Sequence, residues 1–266
     1  MGNAVANKKN AELSTDVLDD IFDTAGEGAV FDSSEMEIPF VRLIQALSPQ
    51  ISKKKPEYIE GASMGDIFNN VTKQFWSGEE GITVVPCFQK TAYLEFVPRE
   101  QGGGFKGEIS PSDPILQRTT RSGPKEILPH GNELVKSDQH FCLVLGEDGM
   151  YQLAVVDMKS SQLKHSRRWK TQIAMQKVKH PKTGAMVTPA VFATMWKVVA
   201  VSDSNKAGQP YANYAVSKVG VVENPVLRNE AKKFRMSVET GEAKAMTEET
   251  ESKKNNSDVT EDEIPF

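Results

Sequence analysis

A mostly β (α+β) domain carried between two acidic, unpacked ends is predicted by three features of this 266-residue chain. From residue 81 onward the apolar residues are largely β-branched or aromatic and fall in short, partly alternating runs, as half-buried strands require. The run "QHFCLVLGEDGMYQLAVVD" sets two of these around Glu-Asp-Gly, the turn chemistry of a β-hairpin. The third feature is charge. Residues 1–40 hold nine acids and two lysines, and 242–266 hold eight acids and three lysines. The stretch between them, 41–241, holds 27 Lys and Arg against 19 Asp and Glu. The net charges are −7, −5 and +8, so an overall −4 conceals a basic body that attracts polyanions.

Residues 1–35 read as an acidic N-terminal arm, partly disordered. Within it "STDVLDDIFDTA" suits a short helix capped by Ser14 or Thr15, with Val17, Leu18, Ile21 and Phe22 on one side. "IPFVRLIQALSPQ" supplies Val41, Leu43, Ile44 and Leu47 before Pro49 stops it, and a strand and a short helix both fit. "GITVVPCF" and "TAYLEFV" are strands, one bent run over 81–97 with Pro86 at a bend, bulge or edge. Residues 98–137, with "PREQGGGFKG", "SPSDP", "RSGPKE" and "LPHGNE", are turn chemistry throughout and predict a long loop, functional or mobile.

After the hairpin, "MKSSQLKHSRRWKTQIAMQKVK" has helix formers and no breaker before Pro181. "AVFATMWKVVAVS" and "YANYAVSKVG" are two more strands, joined by "DSNKAGQP". "NPVLRNEAKKFRMSV" is a second helix with Pro225 near its start, where proline fits. Beyond about 237 no Trp, Tyr, Ile or Leu occurs until the final tripeptide, so 237–266 predicts a disordered tail. The body, 36–236, then runs strand, strand, strand, helix, strand, strand. A five-stranded barrel with a helix between its third and fourth strands is an OB-fold-like arrangement; a generic α+β domain is the alternative.

Cys87 and Cys142 stand in no metal-ligand or paired spacing and read as thiols of a reducing cytoplasm. His130, His140, His165 and His180 match no metal site either, and no cofactor is implied. "QGGGFKG" fails as a phosphate loop, because Glu108 follows Gly107 where Lys and then Ser or Thr are needed. No nucleophile, base or carboxylate set suggests an enzyme. No apolar run approaches the ~20 residues of a membrane span, and the expectation is a cytoplasmic protein.

A sequence-indifferent binder of unpaired DNA needs cations along a groove and aromatic faces for bases. Candidates are plentiful: Lys73 and Trp76 before the first strand; Lys90 and Tyr93 in its second half; Arg99, Phe105 and Lys106 in the glycine-rich loop; and Arg118, Arg121 and Lys125 beyond it. The first helix adds Lys164, Arg167, Arg168, Trp169 and Lys170, and the last strand adds Tyr211 and Tyr214. Trp169 fits equally as an anchor of that helix to the barrel. Alternation puts Tyr93 with Glu95 and Val97 on an exposed face and Ala92, Leu94 and Phe96 toward the core. Trp196 reads as core.

The chain closes on "EDEIPF". Glu261, Asp262 and Glu263 would draw the tip to a basic rim. Pro265 stiffens the approach of Ile264, and Phe266 offers an aromatic anchor with a free carboxylate. The tip resembles that of bacterial single-stranded DNA-binding proteins and of phage proteins that imitate it. "IPFVRLIQALSPQ", "GASMGDIFNN" and "VVPCF" are similar to a block in phage-encoded proteins of that class. The resemblance implies a non-enzymatic protein that coats and protects single-stranded DNA in replication, recombination and repair. It also implies that the tip recruits a polymerase, helicase or nuclease, in the host cytoplasm. Oligomeric state stays open, a homo-oligomer included. An RNA-polymerase-binding transcription regulator and, less closely, a nuclease are the other classes. The internal "EMEIPF" at 35–40 has no free carboxylate, and Ile38 and Phe40 are expected to pack onto the domain.

Overall fold

The computed structural model describes Val17, Asp19, Asp20, Asp23, Thr24 and residues 37–146, 149–205 and 207–246. It divides into two units, Met1–Met36 and Glu37–Phe266. In the first, Val17, Asp19, Asp20 and Asp23 are helical, and Thr24 donates its N–H and hydroxyl to the Asp20 carbonyl at 3.0 and 2.7 Å. The candidate caps Ser14 and Thr15 lie outside the described residues.

In the second unit, β1 (Glu37–Ile38) and β2 (Phe40–Leu43) come first, so the ambiguous "IPFVRL" is strand. β3 (Ile67–Asn69) and β4 (Phe75–Trp76) follow. β5 (Ile82–Phe96) fuses both early strand runs into 15 residues, with a bulge between Pro86 and Phe88 where proline has no N–H to give. Residues 98–137 are not the expected loop. Its polar turns separate short strands β6 (Phe105–Ile109), β7 (Thr120–Ser122) and β8 (Lys125–Ile127), and β9 (Glu133–Leu145) has already begun. β6 pairs onto β5, β8 onto β9 and β7 onto β8, and this backbone pairing orders them, which no apolar pattern announces.

β10 (Tyr151–Lys159) completes the hairpin and takes Met158 and Lys159 from the expected helix. That helix is shorter, α1 (Leu163–Ala174), and the residues after it form β11 (Val178–Lys179) and β12 (Met186–Val187), a separate two-stranded sheet. β13 (Thr194–Ser204) and β14 (Pro210–Val221) follow. α2 (Pro225–Thr240) starts on Asn224, whose side chain accepts from the N–H groups of Val226 and Leu227, and ends at Gly241 with φ +79°. β15 (Lys244–Ala245) then pairs parallel with β1, and Met246 donates its N–H to Ile38 O at 2.9 Å. Residues 237–246 are thus part of the folded body, and Met246 is buried against it.

The main sheet has the order β14-β13-β5-β9-β10-β2-β3-β4, with β6 beside β5, and β8 and β7 beyond β9. It is antiparallel except where β2 meets β10. It curls until β14 approaches the residues after β2. There the Gln45 amide donates to Ala212 O at 2.9 Å and accepts from Ala212 N–H at 3.0 Å, doing with a side chain what a neighbouring strand does with backbone. Inside the curl lie Val41, Ile67, Ile82, Val84, Val144, Val156, Trp196, Val198 and Tyr214, with Trp169 of α1 as the stopper. The other face packs Phe141, Leu143 and Val155 under Ala231 and Phe234 of α2. Ile38 and Phe40 of the internal "EIPF" are buried there too. Cys87 and Cys142 are free and fully buried, and desolvation pushes the Cys87 thiol up to about 12. Among the described residues no helix is long and apolar enough to cross a membrane.

Candidate nucleic-acid interface

The second half of β5 and the first half of β9, which pair with each other, run past the curl, and α2 leaves this part of the sheet uncovered. Its two faces carry different groups, because successive side chains point to opposite sides.

On the first face, α1 is docked by a polar network. Ser166 donates to Asp138 Oδ2 at 2.6 Å, Lys170 reaches the same oxygen at 2.7 Å, and Thr91 donates to Oδ1 at 2.8 Å. The Ser166 proton is thus committed, so His140 Nε2, 2.8 Å from the hydroxyl oxygen, is the donor there. Burial raises the Asp138 carboxyl, but Lys170, Ser166 and Thr91 outweigh it and leave it below the usual carboxylate range. Full burial drives the His140 imidazole down to about 3. One pleat further along the face, Tyr93 lies opposite Lys136, whose ammonium is 5.7 Å from the ring centroid. Glu95 follows, bonded to Asn132 and, at 2.8 Å, to His130. Desolvation raises its carboxyl, yet Asn132, His130 and nearby Lys106 hold it low.

The second face is a groove. Phe96, Val97, Gly103, Gly104 and Val135 form an apolar floor, with Arg99, Lys125 and Lys159 on the rim and Glu133 between them, around a cavity of about 510 Å³. Phe105 packs on Phe96 with centroids 5.4 Å apart. The loop that closes one wall is bridged by a backbone bond and turns on glycines. Val97 donates to Gly104 O at 2.9 Å, and Gly102, Gly103 and Gly104 all have positive φ, which side-chain-bearing residues rarely adopt. Lys125 pairs with Glu133. Lys159 and Arg42 flank the buried Asp157 at 3.1 and 3.2 Å, and Lys90 pairs with Glu108 at 2.8 Å.

The sequence-predicted residues are thus divided. Lys90, Arg99, Phe105 and Lys125 gather on the groove face. Tyr93, Lys106 and Lys170 belong to the opposite face, and Arg118 and Arg121 are exposed on the β7 side. Arg167 and Arg168 are exposed on α1. Lys73, at φ 57°, donates to Pro56 O at 3.2 Å, and Trp76 is half-buried against the curl's interior. Lys164 and Tyr211 meet on Asp203, at 2.7 and 3.0 Å, and tie α1 to the β13–β14 hairpin. With Ser204 N–H and Asn213 they hold the Asp203 carboxyl far below the usual range, Lys164 most of all.

Two stacking candidates are corrected. Trp169 and Tyr214 are completely buried. Trp169 stacks on His140 at 4.4 Å and Tyr214 donates to Val41 O at 3.5 Å. Turning either ring out would forfeit at least ~2 kcal/mol of burial, as much as a base stack returns at ~1–3 kcal/mol. The tip residues Glu261, Asp262, Glu263, Ile264, Pro265 and Phe266 lie outside the described residues. Sequence reasoning missed Lys136, Arg42 and Lys159. Lys136 is two residues from Asp138 on a strand whose partner carries Tyr93, a pairing only the register reveals.

These observations define a β-rich domain with one curled sheet, two helices and a cation-rimmed groove. The chain belongs to the Pam3 phage gp34-like protein family, whose model matches residues 7–244. No curated protein and no solved structure matches it.

Proposed function

We propose that this protein binds single-stranded DNA, coating and protecting it during phage replication, recombination and repair, and that its acidic tip recruits partner proteins. The fold reading that goes with it is OB-type. β5, β9, β10, β13 and β14 stand for the five strands, with α1 between the third and fourth, and β2 fills the gap between the third and fifth. In that reading the groove lies on the strand face and loop side that OB-folds use for oligonucleotides.

The observation that carries the proposal is the groove itself. Phe96 lies at its floor with Phe105 packed against it, Arg99, Lys125 and Lys159 lie at its edge, and the cavity is large enough for a base. Aromatic floor and cationic rim are the two parts that sequence-indifferent binding of an unpaired strand needs. The family is phage-associated, which agrees with the phage setting of the proposal. A gel shift of oligo-dT against duplex at two salt concentrations tests the proposal. Tight, salt-sensitive binding to oligo-dT supports it. Equal affinity for blunt duplex, or cleavage of labelled DNA with magnesium, overturns it.

A further inference from the structure

Between Asp157 and Asp203 the chain has no acidic residue, and residues 158–202 carry nine Lys and Arg. The β11–β12 hairpin lies in the middle of this stretch. Val178 pairs with Val187 and Lys179 with Met186, so Val178 and Val187 share one face. Lys179 and Met186 share the other with Lys177, which donates to Thr188 Oγ1 at 2.7 Å. The turn is built: His180 Nδ1 accepts from the N–H groups of Lys182 and Thr183 at 3.3 and 3.2 Å, and Gly184 has φ +69°.

Every residue from Lys177 to Thr188 is exposed, Met186 by 60% and Val187 by 45%. A two-stranded ribbon bare on both faces is only marginally stable in water. Its exposed Val and Met side chains mark a surface that a partner covers. The charge identifies the partner, since Lys177, Lys179 and Lys182 have no acid near them in sequence and call for a polyanion. The ribbon has no Phe, Tyr or Trp, and its one ring, His180, is tied into the turn through Nδ1, so it lacks the free stacking faces that unpaired bases use. A two-stranded ribbon does fit the major groove of a duplex, where lysines meet phosphates and aliphatic groups meet thymine methyls.

We propose that the β11–β12 hairpin grips double-stranded DNA beside the unpaired strand, so that the protein is held at single-strand–duplex junctions. The junction claim rests on the single-strand reading above; the duplex grip does not. The test uses fluorescence anisotropy of the full chain with oligo-dT, blunt duplex and a duplex bearing a dT tail. Wild type should bind the tailed duplex more tightly than either part. K177E/K179E/K182E should lose about tenfold or more on the tailed duplex, with the log–log salt slope falling by up to about three, and keep its oligo-dT affinity.

A second variant, with residues 177–188 replaced by a Gly-Ser linker and its fold checked by circular dichroism, should behave the same way. Retention of the wild-type preference for tailed duplex by both variants overturns the proposal. So does a hairpin-dependent loss seen only with phosphatidylglycerol vesicles. If wild type ignores oligo-dT, the single-strand reading fails. The duplex grip then stands or falls on whether K177E/K179E/K182E abolishes blunt-duplex binding.

Discussion

Ser166 on α1 donates its hydroxyl proton to Asp138 on β9 at 2.6 Å, so its oxygen is left to accept from His140. Protonation would leave that Nε2–H donation in place, but full burial disfavours the charged ring and keeps the imidazole neutral. An unfolded histidine titrates near ~6.5, whereas His140 in the fold titrates at about 3. Between these values the unfolded state binds the extra proton, so stability falls as pH drops through this window, by up to ~1.4 kcal/mol per unit. Above pH ~6.5 the group contributes no slope. Urea melts at pH 7, 6 and 5 should show the decline, and H140Q should flatten it. Asp138, held low, adds its own loss only below about pH 4.

Phe96 at the groove floor should be the main stacking residue. F96A is expected to weaken oligo-dT binding by ~1–3 kcal/mol, while Y93A on the opposite face changes it much less. R99A should lower the single-strand salt slope by about 0.7. A loss at Tyr93 with none at Phe96 would move the interface to the other side of the sheet.

Gln45 replaces a backbone pairing partner for Ala212. Q45A should cost ~1–3 kcal/mol, since both backbone groups lose their bonds at once. The urea midpoint should fall with an unchanged m-value.

Of the three tryptophans, Trp169 and Trp196 are buried and only Trp76 is part-exposed. Acrylamide, and DNA that reaches β4, should quench one emitter in three, and W76F should remove that fraction. Weak quenching by oligo-dT therefore does not count against binding; anisotropy is the deciding signal.

Removing Glu261 to Phe266 should leave oligo-dT affinity unchanged or raised, because the segment carries negative charge and no cation. The same deletion should abolish capture of host replication proteins on the full-length bait. Equal capture by both forms would discard the recruiting role.

The strands and the second helix were legible because burial imposes a period. Ala92 and Leu94 alternate with Tyr93, and Ala212, Tyr214 and Val216 share a face. The same rule held the clue to Tyr214, and Ser166, Trp169 and Ile173 recur at helical spacing, which places Trp169 inward despite its charged neighbours. What stayed hidden depends on backbone pairing between distant segments. β6, β7 and β8 have too few apolar residues to show a pattern, and they exist because β5, β8 and β9 offer them edges. The groove was half legible: Arg99, Lys125 and Phe105 stood out in the sequence, but Lys159 did not, Phe96 read as core, and the division of Tyr93 from Lys90 onto opposite faces depends on register.

The parallel bond between Glu37–Ile38 and Lys244–Ala245 means that the polypeptide enters and leaves the folded body at neighbouring points. A short linker from Met246 back to Glu37 can therefore close the chain into a ring without crossing the sheet. New termini opened at the Gly184 turn would then cut no strand of that sheet, so the protein is a natural candidate for circular permutation.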